Sequence, residues 1–381
     1  MADWKVPLAD VRVPEDDIRA VSEVYRSGWL SMGPETERFE QALALYVGAN
    51  HALAVANGTA ALHLICSTAG LGEGHEVVVP SLTFVATANA IAYTGARPVF
   101  ADISALDRPW LSSAATEAAI GPRTRAIMTM TYGGHPGETR ELAQLAAARG
   151  LTLLEDAAHA IGARADGRHL GTFGSAGAFS FFSNKNLAVG EGGALVTDDD
   201  EVAARARLLR SHGMTTLTWD RHRGHAAGYD VLALGFNYRI DEPRAALARR
   251  RLERIDVENA RRSELDRRYR SLLADIEGVT PALPEAPGVR CAHHLFSVVL
   301  DEPIDREGFC SELARHGVQT SLHYPPVHRF AIYAEDAPDL PVTEAFARRA
   351  VSLPLYAHMT EPQQDQVVEA VAGAVHSAAT A

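Results

Sequence analysis

Residues 178–197 read AFSFFSNKNLAVGEGGALVT, two apolar runs separated by a turn that contains Lys185 and a glycine-rich segment. Of the 36 cationic residues in the chain, only Lys5 and Lys185 are lysine, and the other 34 are arginine. The two apolar runs read as strands joined by a loop. A guanidinium stays protonated, whereas a buried ammonium can lose its proton and form an imine with an aldehyde. The stretch therefore favours a reactive interior lysine over a solvated turn residue.

Short apolar runs alternate with longer helical patterns upstream of this stretch. The predicted strands are residues 51–57, 76–80, 97–103, 125–131 and 151–157, and the predicted helices are residues 59–70, 84–95, 113–121 and 137–150. This alternation predicts a largely parallel sheet that is covered by helices on both faces. Only a loop separates the runs 177–182 and 192–197, so we expect an antiparallel element in the same sheet.

The second part of the chain has a different pattern. Residues 213–235 show no clear periodicity and are predicted to form a loop, and a long charged helix is expected to begin near Glu242. Its alternating charges favour a solvated linker helix over a nucleic-acid surface. Residues 293–300 and 317–324 read as strands of a smaller α/β domain. We therefore expect a large cofactor-binding domain with an N-terminal arm (1–245), then the linker helix and a small C-terminal domain (246–381).

Composition excludes several classes of protein. The net charge of −12 argues against a nucleic-acid partner, because such binding depends on cationic surface. The N-terminal residues form no signal-peptide core and no apolar run reaches 18 residues, so we expect a cytoplasmic protein without a membrane partner. Three cysteines without metal-ligand spacing predict reduced thiols and no metal site. The GEGG turn (190–193) opens a strand rather than a helix, which argues against a dinucleotide fingerprint.

Several positions suit one cofactor, pyridoxal 5′-phosphate. This cofactor needs an amine that forms an imine, an anion beside its pyridine nitrogen, a phosphate cradle and packing on its ring faces. Asp156 ends the predicted strand 151–157, where a carboxylate faces the crevice in which α/β proteins bind ligands. There it can keep the pyridine nitrogen protonated, although the cap of a following helix is an equally good reading.

The phosphate cradle is predicted where a strand meets a helix. Asn57, Gly58 and Thr59 follow the strand 51–57 and open the next helix, whose N-terminal N–H groups attract an anion. A common turn and cap would have the same sequence. Ser180 can add a hydroxyl. Phe84 and His159 are candidates for the ring faces, although each could instead be an ordinary structural residue.

Seven segments together resemble the DegT/DnrJ/StrS family of sugar aminotransferases. They occur in family order between about residues 6 and 357, and they read SGWLSMGP, NGTAALHL, VVVPSLTFVATANAI, LEDAAHAIGA, FSFFSNKNLAVGEGGALVT, GFNYRID and LHYPPVH. The resemblance implies an α/β chain with the aspartate aminotransferase fold (fold type I). This fold has a large domain with a mixed, mostly parallel sheet flanked by helices, and a smaller C-terminal α/β domain.

The resemblance also implies roles for individual residues. Lys185 matches the imine lysine, Asp156 the partner of the pyridine nitrogen, and Phe84 and His159 the residues beside the ring. The residues that match the family's phosphate cradle are Thr59, Ala60 and Ser180, with Gly58 beside them. In a homodimer with shared active sites, Asn237 matches a residue that reaches the partner's phosphate. Segments that line the substrate region of relatives contain Trp29, Ser31, Arg239 and His323. One departure is Met130, which stands where the family usually has a histidine.

The implied activity is transfer of an amino group to a nucleotide-linked keto sugar by a ping-pong mechanism. Glutamate is the expected donor, and glutamine could replace it. The resemblance favours the 4-amino product of a 4-keto-6-deoxy sugar on thymidine diphosphate, in antibiotic-sugar biosynthesis, with amination at the third carbon as the second candidate. Lys185 argues against the dehydratases of the family, which carry histidine there. The sequence could also belong to an amino-acid aminotransferase or to a non-catalytic cofactor-binding regulator.

Overall fold

A seven-stranded sheet forms the centre of the fold in a computed structural model, which describes residues 4–216, 219, 222, 224, 228–335 and 337–379. Its strands are β1 (His51–Val55), β2 (Glu76–Pro80), β3 (Arg97–Ala101), β4 (Thr124–Met130), β5 (Thr152–Asp156), β8 (Ala176–Ser180) and β9 (Gly193–Thr197). Their spatial order is β1-β9-β8-β5-β4-β2-β3. Only β9 runs antiparallel to its neighbours. The predicted mixed, mostly parallel sheet is confirmed.

Helices cover both faces of this sheet. They are α1 (Glu15–Ser27), α2 (Pro34–Val47), α3 (Gly58–Thr68), α4 (Val85–Ala92), α5 (Ser113–Ala119), α6 (Thr139–Arg149) and α7 (Asp200–Arg210). The strands between them are almost fully buried, as their continuous apolar sequences require. The helices α3 and α4 pack on one face, and α2 packs on the other.

The C-terminal part contains a three-stranded antiparallel sheet of β10 (Val279–Pro281), β12 (Phe296–Leu300) and β13 (Ala350–Leu353). A second small sheet joins β11 (Val289–Arg290) to β6 (Arg164–Ala165) and β7 (Arg168–His169). The helices here are α8 (Glu242–Leu252), α9 (Ile255–Leu273), α10 (Arg306–Arg315), α11 (Pro341–Arg349) and α12 (Glu361–Ala379). The proposed domain boundary at residue 245 falls inside α8 and stays a prediction.

The expected linker helix is corrected by the structure. It is two helices, α8 and α9, and it is only partly solvated. The carboxylate of Asp17, which is fully buried, accepts hydrogen bonds from Arg251 (2.8 Å) and Arg254 (2.7 Å). The alternating charges predicted a solvated helix. The sequence does not show that Asp17, which is distant in the chain, neutralises Arg251 and Arg254.

The predicted strand 317–324 does not form. Val318 and Ser321 make isolated bridges with Val6 and Ser352. Two prolines follow directly at positions 325 and 326, and proline has no N–H to extend a strand ladder. Of the predicted loop 213–235, a part lies outside the described residues; in the described part Met214 bridges to Val231.

Six strands of the central sheet point in the same direction, and four of them contribute residues to one site at their common edge. These are β1, β4, β5 and β8, and their C-terminal ends bring Asn57, Met130, Asp156 and Ser180 together. Ligands of α/β proteins bind outside the carboxyl ends of parallel strands. This edge is therefore where a binding site is expected.

Candidate active site

A cavity of about 400 Å³ lies at this edge of the sheet. Nine of its lining residues are candidates from the sequence, namely Asn57, Gly58, Thr59, Phe84, Asp156, His159, Ser180, Lys185 and His323. A more open cleft of about 870 Å³ also borders Lys185, but Asp156 and the Asn57 turn do not line it. The smaller cavity is therefore the candidate active site, because it joins the lysine to the carboxylate and to the helix N-terminus.

Lys185 lies in the turn after β8 and points its amine at a histidine. Its backbone N–H donates to the carbonyl of Phe182 (2.9 Å), and its Nζ is 3.4 Å from Nε2 of His294. Burial lowers the pKa of the Lys185 amine to about 8, although the charge of Asp156 acts in the opposite direction. Near neutral pH a substantial fraction of this amine is therefore unprotonated and nucleophilic.

Asp156 is the last residue of β5 and is only 3% exposed. Its carboxylate accepts hydrogen bonds from the Thr87 hydroxyl (2.6 Å) and from the Ala158 N–H (3.1 Å). Burial raises the pKa of the Asp156 carboxyl, while the bond from Thr87 favours the anion. Residues 157–163 form turns rather than a helix, so the reading of Asp156 as a helix cap is wrong.

His159 is held neutral and in one tautomer. Its Nδ1 accepts the N–H of Gly133 (3.2 Å), and its Nε2 lies 2.9 Å from the hydroxyl of Tyr324. Because Nδ1 accepts, Nε2 must carry the proton and donate it to Tyr324. Burial keeps the pKa of His159 well below its usual value. Phe84 is 55% exposed, and its ring centroid is 5.9 Å from that of Tyr324.

The N-terminus of α3 and the end of β8 form the proposed phosphate cradle. The Asn57 side chain caps α3 by accepting the N–H of Ala60 (2.9 Å), so this N–H is already engaged. A Cβ on Gly58 would lie 2.8 Å from Cβ of Ser180. Only glycine allows this close approach, which brings the helix N-terminus and the Ser180 hydroxyl to the same place.

The other predicted site residues lie outside the cavity lining of the single chain. Asn237 and Arg239 form bridges with Ser211 and Val55 at the sheet edge. Among the described residues Nη1 of Arg239 is buried without a hydrogen-bond partner. Trp29 lines a separate groove of about 180 Å³. Ser31 is exposed between α1 and α2, and Ala60 follows the lining residue Thr59 without lining the cavity itself.

Three residues of the site were missed from the sequence: Tyr324 lines the cavity, whereas Thr87 and His294 contact Asp156 and Lys185 from behind the lining. Thr87 lies one helical turn after Phe84, so its position could have been found from helix periodicity. Tyr324 belongs to the LHYPPVH segment but was not singled out. His294 gave no usable signal, because it is 109 residues from Lys185 in the sequence and lies within the predicted strand 293–300.

The fold and the cavity together define a pyridoxal-phosphate-dependent aminotransferase of fold type I. The chain belongs to the DegT/DnrJ/EryC1/StrS aminotransferase family, whose profile matches residues 12–372. The spore coat polysaccharide biosynthesis protein SpsC from Bacillus subtilis (strain 168) is 38% identical over 384 residues, which cover 98% of this chain and 97% of that protein. The predicted family, fold class and enzyme class are confirmed, and the chain is a sugar aminotransferase.

Solved structures support the same conclusion. DesV from S. venezuelae, in complex with a ketimine intermediate, is 40% identical with a TM-score of 0.87, and 94% of each chain is covered. Spr1654 from Streptococcus pneumoniae, in its PLP form, is 25% identical with a TM-score of 0.87, and the match covers 98% of this chain and 99% of that chain. Spr1654 has also been solved in a PMP form.

Pyridoxal phosphate is the cofactor of this enzyme class, and the residues present fit it. The fit rests on a buried amine, a buried carboxylate and a glycine-lined helix N-terminus around one cavity. Within the part of the chain that the structure describes, no group of three or more potential ligands for a metal ion occurs. Among the described residues no helix has the length and apolarity needed to span a membrane.

Proposed function

We propose that the chain transfers an amino group from glutamate to the fourth carbon of a nucleotide-linked 4-keto-6-deoxy sugar, carried on thymidine diphosphate. Enclosure of Lys185 and Asp156 in one cavity is the observation on which the amino transfer rests. The choice of the fourth carbon rests on the segments 81–87 and 155–163, which resemble enzymes acting at that position. Both segments contribute residues to the cavity.

We assign tasks in this reaction to five residues of the cavity. When bound, pyridoxal phosphate supplies an aldehyde for covalent attachment and a ring that accepts electrons. Lys185 provides the amine for attachment, and its amine, once released, moves a proton as base and then as acid. Asp156 presents a negative charge that is fixed by Thr87 and Ala158. We assign anion binding to Gly58, Thr59 and Ser180.

The donor and acceptor would use the same cavity in turn. Glutamate would give up its amino group, which the bound cofactor would carry, and would depart as a keto acid; the keto sugar would then enter and receive the nitrogen. This order defines a ping-pong mechanism. The direct test is to incubate the purified enzyme with glutamate or glutamine and a panel of nucleotide-linked 4-keto and 3-keto sugars. Mass spectrometry and NMR of the product identify the aminated carbon, and a 3-amino product would refute the assignment of the fourth carbon.

The pathway setting has two candidates. The resemblance to antibiotic-sugar enzymes favours a secreted natural product, whereas the similarity to a spore coat polysaccharide protein favours a precursor of a surface polysaccharide. The carrier nucleotide separates different sugar pools, so the same panel should include thymidine, uridine and guanosine diphosphate sugars. The carrier with the highest kcat/KM identifies the pool that the enzyme uses.

We also propose a homodimer in which Asn237 completes the partner's phosphate cradle. Asn237 does not line the cavity of its own chain, which is consistent with a role across an interface. Mixing inactive Lys185→Arg and Asn237→Ala subunits tests this idea. Random reassociation of a symmetric dimer would restore about a quarter of the native sites if sites are shared, and none if each chain is self-sufficient.

A further inference from the structure

His294 approaches the reactive lysine more closely than its place in the sequence would indicate. It is 8% exposed, and its Nε2 lies 3.4 Å from Nζ of Lys185. Its ring centroid is 4.2 Å from that of His159. The family resemblance assigned no role to this residue, so its position requires a separate explanation.

The hydrogen bonds around His294 determine which ring nitrogen faces the lysine. Asn186 donates through Nδ2 to Oδ1 of Asn259 (2.8 Å) and to the carbonyl of Ala292 (2.7 Å). The remaining atom of this amide, Oδ1, can only accept, and it lies 3.1 Å from Nδ1 of His294. Nδ1 of His294 therefore carries the proton, and Nε2 presents a lone pair to Lys185.

The backbone around His294 is fixed by the turn that also holds His159. The N–H of His294 donates to the carbonyl of Gly133 (2.9 Å), and the N–H of Gly133 donates to His159. Gly134 has a positive φ of 81°, and a Cβ there would lie 2.6 Å from the His159 carbonyl oxygen and 2.7 Å from Cβ of Ala292. One tight turn therefore places both histidines beside the lysine.

We propose that His294 is a positioning residue for Lys185, with its Nε2 accepting a hydrogen bond that holds the amine in one orientation. The titratable groups facing the amine from the surrounding elements are Asp156, His159, His294 and His323. Burial keeps the pKa of His294 well below its usual value, and Lys185, His323 and Arg262 of α9 act in the same direction, so the ring stays a neutral acceptor. A neutral acceptor stabilises the ammonium form and limits how far burial lowers the pKa of Lys185.

The presence of only two lysines makes a direct test possible. Full-length protein carrying lysine labelled with 13C at Cε gives two titratable signals, and Lys5 is the internal reference. The titration is recorded after the cofactor is removed and again after loading with pyridoxamine phosphate, so that the amine is free in both samples. In the native protein we expect Lys185 to titrate near 8.

Two substitutions at one position separate hydrogen bonding from packing. His294→Leu removes the acceptor, and we expect the proton affinity of Lys185 to fall about tenfold while Lys5 is unchanged. His294→Gln keeps an acceptor at the end of the side chain and should restore most of this affinity. Unchanged titration of Lys185 in folded His294→Leu protein would overturn the proposal.

A measurement on the native protein covers the case in which the variants do not fold. The 15N shifts of the His294 ring, assigned by comparison with other labelled samples, report its tautomer directly. We expect the proton on Nδ1 between pH 6 and about 9. A proton on Nε2 contradicts the proposal whatever the variants show. The assignment of Lys185 itself is tested separately, by borohydride reduction and peptide mapping, so the two ideas can fail independently.

Discussion

The rate at which Lys185 captures pyridoxal phosphate should depend on pH in a way that an ordinary lysine would not. Burial lowers the pKa of the Lys185 amine from 10.5 to about 8. At pH 7.5 an amine with a pKa of about 8 is roughly one quarter neutral, whereas one with a pKa of 10.5 is roughly one thousandth neutral. Since only the neutral amine attacks an aldehyde, Lys185 should have about 200 times more reactive form available.

Stopped-flow absorbance with cofactor-free, full-length enzyme measures this capture directly. From pH 6 the rate should rise about tenfold per pH unit and then level off above about pH 8. A small lysine analogue, run under the same conditions, corrects for the titration of the cofactor itself. Lys5→Arg is the matched control and should keep the native profile, while Lys185→Arg should show no covalent capture.

Substitution of Asp156 provides a second test, because the direction in which it should shift the pKa of Lys185 is known. The charge of Asp156 raises the pKa of Lys185 against the effect of burial. Asp156→Asn removes this charge with little change in shape, so the point at which the rate levels off should move to lower pH. If the rate of cofactor capture by the native enzyme keeps rising through pH 9.5, as for a solvated lysine, burial does not lower the pKa of Lys185 and this prediction is wrong.

Three further outcomes follow from contacts of Lys185, Asp156 and Glu242. Lys185→Arg should lose transamination, because a guanidinium cannot form an imine with the aldehyde of the cofactor. Circular dichroism and thermal melting should show that this variant folds normally. Asp156→Ala should lower the rate of the donor half-reaction by several orders of magnitude; a loss below about tenfold, roughly 1.4 kcal/mol of barrier, would leave Asp156 a structural role only. Glu242→Ala should lower the free energy of unfolding by about 3 kcal/mol in urea titrations, because the Glu242 carboxylate accepts the N–H groups of Gly33, Glu35 and Thr36 at 2.7–2.9 Å. The exposed residue Glu253, changed to alanine, is the control and should cost less than about 1 kcal/mol.

Much of the central sheet could be predicted because its strands are buried on both faces. Such strands are continuous apolar runs. The predicted run 76–80 coincides with β2, and the run 151–157 exceeds β5 by one residue at each end. The residues at the strand ends could be predicted as well. Parallel strands bring their carboxyl ends to one edge, so Asp156 and Ser180 had to lie near each other.

Contacts between distant segments could not be predicted in this way. The helices α8 and α9 read as solvated because their arginines alternate with acidic residues, yet Arg251 is paired with Asp17, which is 234 residues away. The same limit applies to His294, which reaches Lys185 from outside the central sheet. Local periodicity describes one face of one element, and it contains no information about which distant residue covers that face.

The contrast between two buried cations explains why the chain keeps lysine at position 185. Burial lowers the pKa of Arg262 to about 10 and that of Lys185 to about 8. At pH 7.5 less than about 1% of a group with a pKa of 10 is neutral, so burial alone does not make this guanidinium a nucleophile. The same kind of environment leaves roughly a quarter of the Lys185 amine neutral. Arginine occupies every other cationic position of this chain except position 5 and stays charged there, whereas the cavity needs a cation that can give up its proton.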